Sequence, residues 1–150
     1  MFTSTGRLVY NPKRNMIANT DWWCVIELSD DELANYYRWF IDREWWLADS
    51  QSTKRKYCKP PHKSHISVIR GEKPRRNIPM WNSYRKNQMI SFEYTNQIRQ
   101  TGSHDTSKDK FWFIDTNFPE YNIIRDFFGL PISRDNKPFN GHLTVARTHE

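Results

Sequence analysis

A chain of 150 residues fits one domain able to bury about two-thirds of its unfolded surface. Hydrophobic residues make up 37% and aromatic residues 15%, with seven Trp, seven Tyr and nine Phe; this excludes disorder and predicts a core built on large rings. The net charge of +6 is local, because Lys54 to Arg76 carries nine Lys or Arg against one acid, Glu72, so that segment is either the footprint of a phosphate-bearing partner or a solvated loop.

No stretch approaches the roughly 18 apolar residues of a membrane span, and the opening "MFTSTGRLVYNPKRN" has no apolar h-region. The expectation is a soluble, cytoplasmic protein with no membrane partner. Cys24 lies in an apolar run and Cys58 in the basic segment; two cysteines make no disulfide framework, which fits a reducing compartment.

In chain order, "WWCVIEL" at 22–28 predicts a strand, and "SDDEL" after it holds Ser29 and Glu32 at capping-box spacing. From Asp30 to Trp46, Leu33, Tyr36, Tyr37, Phe40, Ile41 and Trp45 recur every three or four residues, which predicts a helix. The basic loop follows, with "KPP" at 59–61 excluding regular structure. "SHISVIR" at 64–70 alternates and is β-branched, hence a strand, and "MISFEYTNQIRQ" at 89–100 and "KFWFIDT" at 110–116 predict a hairpin with a long polar loop. "FPEYNIIRDFFGL" places Pro119 in its first turn and Gly129 at its end, marking a second helix, and "PFNGHLTVAR" predicts a closing strand. Strand, helix and strand thus occur in each half, the pattern of an internally duplicated α+β domain.

Two phrases carry the chemistry. "HISVIR" at 65–70 and "HLTVAR" at 142–147 share the template His, apolar, hydroxyl, apolar, apolar, Arg, which a given His meets by chance about once in a thousand. His62 in "HKS" and His104 in "HDT" also match His-x-Ser/Thr, but both sit among turn-forming residues. In a strand, residues i and i+2 share a face about 6.7 Å apart. His65 and Ser67 therefore share one face, as do His142 and Thr144, while Ile66, Val68, Leu143 and Val145 face the core. On a regular strand Arg70 and Arg147 would point away from the histidines unless a bulge turns them.

An imidazole beside a hydroxyl offers proton transfer next to a hydrogen-bond donor, and two such pairs can grip one phosphate. With a reference pKa near 6.5, one His can act as base and the other as acid in a transesterification from a ribose 2′-hydroxyl, with no metal or other cofactor. Which takes which role stays open. Cys58, His62 and His65 form a competing zinc-type spacing whose fourth ligand would be His104. A Gly-x-Ser-x-Gly elbow and a Gly-rich phosphate loop are both absent from the sequence.

"HIS" and "HLT", each in an alternating strand, resemble the paired H-x-[ST] signature of the 2H phosphoesterase superfamily. From "TGRLVYNP" through "TDWWCVIELSDDEL" to "GHLTVARTHE", the chain resembles most the phage anti-CBASS cyclic-oligonucleotide phosphodiesterases. The resemblance implies an α/β two-layer fold of two pseudo-symmetric lobes of antiparallel strands, with outer helices around a central cleft. It implies catalysis by His65, Ser67, His142 and Thr144 on a cyclic oligonucleotide, with no stable polynucleotide partner, in the cytoplasm of an infected bacterium. Tyr10, Trp81 and Trp112 are the rings expected to stack on bases, and Arg70 and Arg147 the cations expected to hold phosphate. Two other readings stay open: a 2H phosphodiesterase acting on linear RNA ends or 2′–5′ oligonucleotides, and a non-catalytic module that sequesters nucleotides.

Overall fold

The computed structural model describes residues 2–12, 20–48, 56–58, 64–101, 111–133 and 139–149. Seven strands, β1 (Phe2–Tyr10), β2 (Trp23–Glu27), β3 (Lys56–Cys58), β4 (His65–Arg70), β5 (Met89–Thr101), β6 (Phe111–Asn117) and β7 (His142–His149), join two α-helices, α1 (Glu32–Ala48) and α2 (Glu120–Phe127). The strands run in the order β3-β7-β4-β2-β1-β5-β6, and β6 pairs back onto β7. Six of them therefore close into an antiparallel barrel, with β3 added along β7.

The expected two-layer α/β fold with two lobes is overturned by this closure. One continuous barrel stands in place of two lobes, and most of the described secondary structure is strand. The reason lies in β1, which the sequence reading passed over. It pairs with β2 on one side and β5 on the other, and so joins the two halves into one wall. Its inward positions are Gly6, Leu8 and Tyr10, so the first turn of alternation carries no side chain to reveal it.

The interior is one cluster in which Leu8, Ile26, Ile66, Ile114 and Leu143 are fully buried. Each such side chain contributes roughly 1.5–3 kcal/mol by leaving water. The predicted helices are present, with altered ends. Glu32 N–H donates to Asp30 Oδ1, so the cap of α1 is an aspartate rather than Ser29. At the other helix, Gly129 adopts φ +73° and its N–H donates to the Asp126 carbonyl, ending α2 as expected.

Part of the basic segment is spoken for structurally. The Arg76 guanidinium donates to the Asp126 carbonyl and Asn77 Nδ2 to the Phe127 carbonyl, so both close the negative end of α2.

Arg125, on α2, is the buried polar hub of this side, at 8% exposed. Its Nη1 donates to the Val68 carbonyl at 2.8 Å, its Nε to the Pro131 carbonyl at 2.6 Å, and its fork grips both oxygens of Glu72. The Arg125 bond holds the Glu72 carboxyl below the usual carboxylate range, against the opposing effect of burial. Because that folded pKa is depressed, the stabilisation is in place above the ordinary Glu value and fades as pH falls through the folded one. Arg125→Met is expected to cost about 2–4 kcal/mol in urea unfolding, since it strands the Val68 carbonyl and a paired carboxylate. Glu72→Gln, at the partly exposed end, should cost less than about 1 kcal/mol and should flatten the acid limb of the stability profile.

Candidate active site

β4 begins at His65 and β7 begins at His142, and the two strands meet antiparallel at the pair Ile66 and Leu143. Counting out from that pair, His65 stands across from Thr144 and Ser67 across from His142. The two His-x-Ser/Thr triplets thus form the overlap between the strands, each hydroxyl beside the other motif's histidine. Directly opposed side chains lie about 5 Å apart at Cβ and diagonal ones about 7–8 Å. That diagonal separates the two histidines, and it leaves room for a phosphoryl group accepting a hydrogen bond of about 2.8 Å from each side.

Each histidine is held where its strand begins. Ahead of His65, the Ser64 hydroxyl donates to Asp31 Oδ1 at 2.7 Å, while the Leu28 N–H donates to the Ser64 carbonyl. Ahead of His142, Gly141 adopts φ +76°, and a Cβ there would lie 3.0 Å from Ile66 and 3.1 Å from the Thr116 hydroxyl. Only glycine fits that approach without strain.

Both phrases contain a β-bulge. β2 pairs Cys24 with Ile69 and Val25 with Ser67, leaving Val68 as the extra residue, and β6 pairs Trp112 with Ala146 and Phe113 with Thr144, leaving Val145. Two successive residues on each strand are then buried, Val68 with Ile69 and Val145 with Ala146. The bulge resets the alternation and returns Arg70 to the face of His65 and Ser67. An arginine on a helix holds each bulge: Arg125 of α2 donates to the Val68 carbonyl, and Arg38 of α1 donates to the Val145 carbonyl at 2.9 Å. The Arg147 side chain lies outside the described residues; its backbone pairs with Phe111 and Cys58, the position matching that of Arg70.

The flanking strands repeat as well. Glu27 of β2 pairs with His65 and Asp115 of β6 pairs with His142. The Trp23 ring meets His65 edge-on at 5.2 Å, and the Phe113 ring lies 5.1 Å from His142. Arg70 sits over Trp23 at 5.1 Å and Arg99 over Phe113 at 5.3 Å. "WCVIE" at 23–27 and "FWFID" at 111–115, each leading to a helix whose arginine reaches a bulge, are the signal of this duplication. The sequence reading missed Glu27, Asp115, Arg38 and Arg125 because it compared the histidine phrases alone.

The two sides differ in charge. His142 has its pKa lowered, first by desolvation from the groups packed around it although the residue itself is exposed; Asp115 opposes the shift, and Arg70 and Arg99 reinforce it. Asp115 is itself engaged, by Arg99 Nη1 at 3.0 Å.

The other proposed residues are placed unequally. Tyr10 is 8% exposed and Trp112 4%; Tyr10 donates its hydroxyl to the Tyr84 carbonyl and packs on Phe128, so both rings are core and neither presents a face to a base. Trp81 is half-buried, edge-on to Tyr10 and Trp22, and keeps part of its ring open. Of the zinc-type set, His62, His104 and the Cys58 side chain lie outside the described residues, and His65 stands in the two-histidine face.

His142 is expected to titrate below the ordinary 6.5 when its ring protons are followed by NMR. Arg99→Gln should raise the midpoint by removing a cation and releasing Asp115, and Asp115→Asn should lower it further. Because the folded pKa lies below the unfolded one, His142 supports the fold above about pH 6.5 and withdraws that support as pH falls. Compared with family models, with curated proteins and with solved structures, the chain matches none.

Proposed function

We propose that the protein is a metal-independent phosphodiesterase that opens cyclic di- and trinucleotides, such as 3′,3′-cyclic GMP-AMP, at their 3′–5′ linkages. The observation that carries this reading is the interleaving of the two motifs, with each hydroxyl across from the other motif's histidine and Arg70 turned onto the same face. The 2H phosphoesterase resemblance enters the proposal through those motifs and not through the fold. Such an enzyme would act in the cytoplasm of an infected bacterium, removing the signals that trigger CBASS immunity.

His142, disposed toward the neutral form, takes the proton of the ribose 2′-hydroxyl. The freed oxygen attacks the adjacent phosphorus, and the bond from phosphorus to the 5′-oxygen breaks. His65 protonates that departing oxygen, leaving a 2′,3′-cyclic phosphate and a free 5′-hydroxyl. Water then opens the cyclic phosphate with the two histidines in exchanged roles, which yields a linear product. Ser67 and Thr144 donate to the non-bridging oxygens, and Arg70 offsets the charge gathered in the transition state.

Incubation of cyclic GMP-AMP with the protein in EDTA should give linear product. Each of His65→Ala and His142→Ala should slow cleavage by at least about 100-fold, the contribution of one general acid or base, while leaving binding in place. A substrate with hydrogen in place of the attacking 2′-hydroxyl should resist at that linkage; continued cleavage there would sink the mechanism.

A further inference from the structure

We infer that Trp23 is a positioning residue that fixes the Ser67 hydroxyl as a donor to the phosphoryl group, an inference that rests on the phosphodiesterase reading. The Trp23 side chain is fully buried, and its Nε1–H donates to Ser67 Oγ at 3.0 Å. Indole nitrogen is a donor only, so the serine oxygen must accept and its own hydrogen must be directed elsewhere. A hydroxyl left to itself rotates to suit any neighbour, including the imidazole of His142 across the strand pair. With the indole in place, its free donor is available to the group lying over the face.

The ring is held firmly enough to impose this. Trp23 pairs with Arg70 across β2 and β4, the Arg70 guanidinium lies 5.1 Å from its ring centre, and the His65 ring abuts it edge-on. One indole therefore touches three of the residues assigned to the phosphate. The duplicated half has no such donor, because the position matching Trp23 is Phe111, which pairs with Arg147 as Trp23 pairs with Arg70. The two hydroxyls are thus unequal, and Ser67 is the pre-oriented one. A donor fixed before the charge develops stabilises the transition state more than the bound substrate, so its loss is read in kcat rather than KM.

Trp23→Phe keeps a ring and removes only the N–H. It is expected to lower kcat on cyclic GMP-AMP about 10-fold with KM changed less than about twofold. In a Ser67→Ala background Trp23→Phe should slow the reaction no further, whereas in a Thr144→Ala background it should exert its full effect. A kcat within threefold of wild type, or a full further loss on top of Ser67→Ala, overturns the inference while leaving the two-histidine mechanism standing. Should Trp23→Phe fail to fold, the indole N–H resonances of the wild type and Ser67→Ala decide: one must shift when the serine oxygen is removed, and an unchanged set overturns the inference. Absence of turnover by the wild type counts against the phosphodiesterase reading alone, since the indole spectra still report the Trp23–Ser67 bond.

Discussion

Ile66 and Leu143, both fully buried, face each other where β4 first meets β7, and that single contact fixes the register of everything around it. A slip of one residue would turn both histidines inward and both core side chains outward. Burying two imidazoles and exposing two large aliphatic groups is costly by several kcal/mol, so the hydrophobic pair selects the arrangement of the polar one. The short overlap follows. Because each strand starts at its histidine, neither motif has a neighbour on β4 or β7 except the other motif.

The bulges follow from the same economy of space. A strand that stayed regular would send Arg70 away from the histidines, and an extra residue corrects this only if something holds it in place. Val68 and Val145 each leave a carbonyl displaced from the ladder, and a guanidinium from a helix meets it. Helices α1 and α2 therefore act as clamps on the bulges as well as covers for the barrel. A charged donor suits that task, being about twice as strong as a neutral one and able to keep several partners, as Arg125 does with Val68, Pro131 and Glu72.

The sequence showed both histidine pairs, since alternation around Ile66 and Leu143 is enough to place His65 with Ser67 and His142 with Thr144 on one face. It also held the bulge in plain view, because two consecutive apolar letters before each Arg break the alternation at the same point. Closure of the barrel was hidden, for Gly6 sits at an inward position of β1 with no side chain to continue the pattern, and a Cβ there would meet Ile26 at 2.5 Å. Tyr10 and Trp112 misled for a related reason. A ring in a strand reads alike whether it faces solvent or the interior, and only the parity of the neighbouring strands decides.

In the proposed phosphodiesterase, pseudo-symmetry raises a chemical difficulty that the unequal surroundings of the two histidines would resolve. Two identical histidines beside one phosphate would favour the same protonation state, whereas transfer from a 2′-hydroxyl to a 5′-oxygen needs one of each. Here the strand scaffold repeats but the charges do not. His142 has its pKa lowered first by desolvation and then by Arg70 and Arg99, while the opposing Asp115 is already engaged by Arg99. His65 stands beside Glu27 and makes a T-shaped contact with an indole whose N–H is given to Ser67. Since Arg70 lies on the strand of His65 yet acts on His142, substrate phosphate drawn to Arg70 would partly neutralise it and raise the basicity of His142 as the complex forms. In the proposed reaction the base would then gain strength from the substrate it is to deprotonate, and a duplicated scaffold would favour His142 over His65 as the base of the first step.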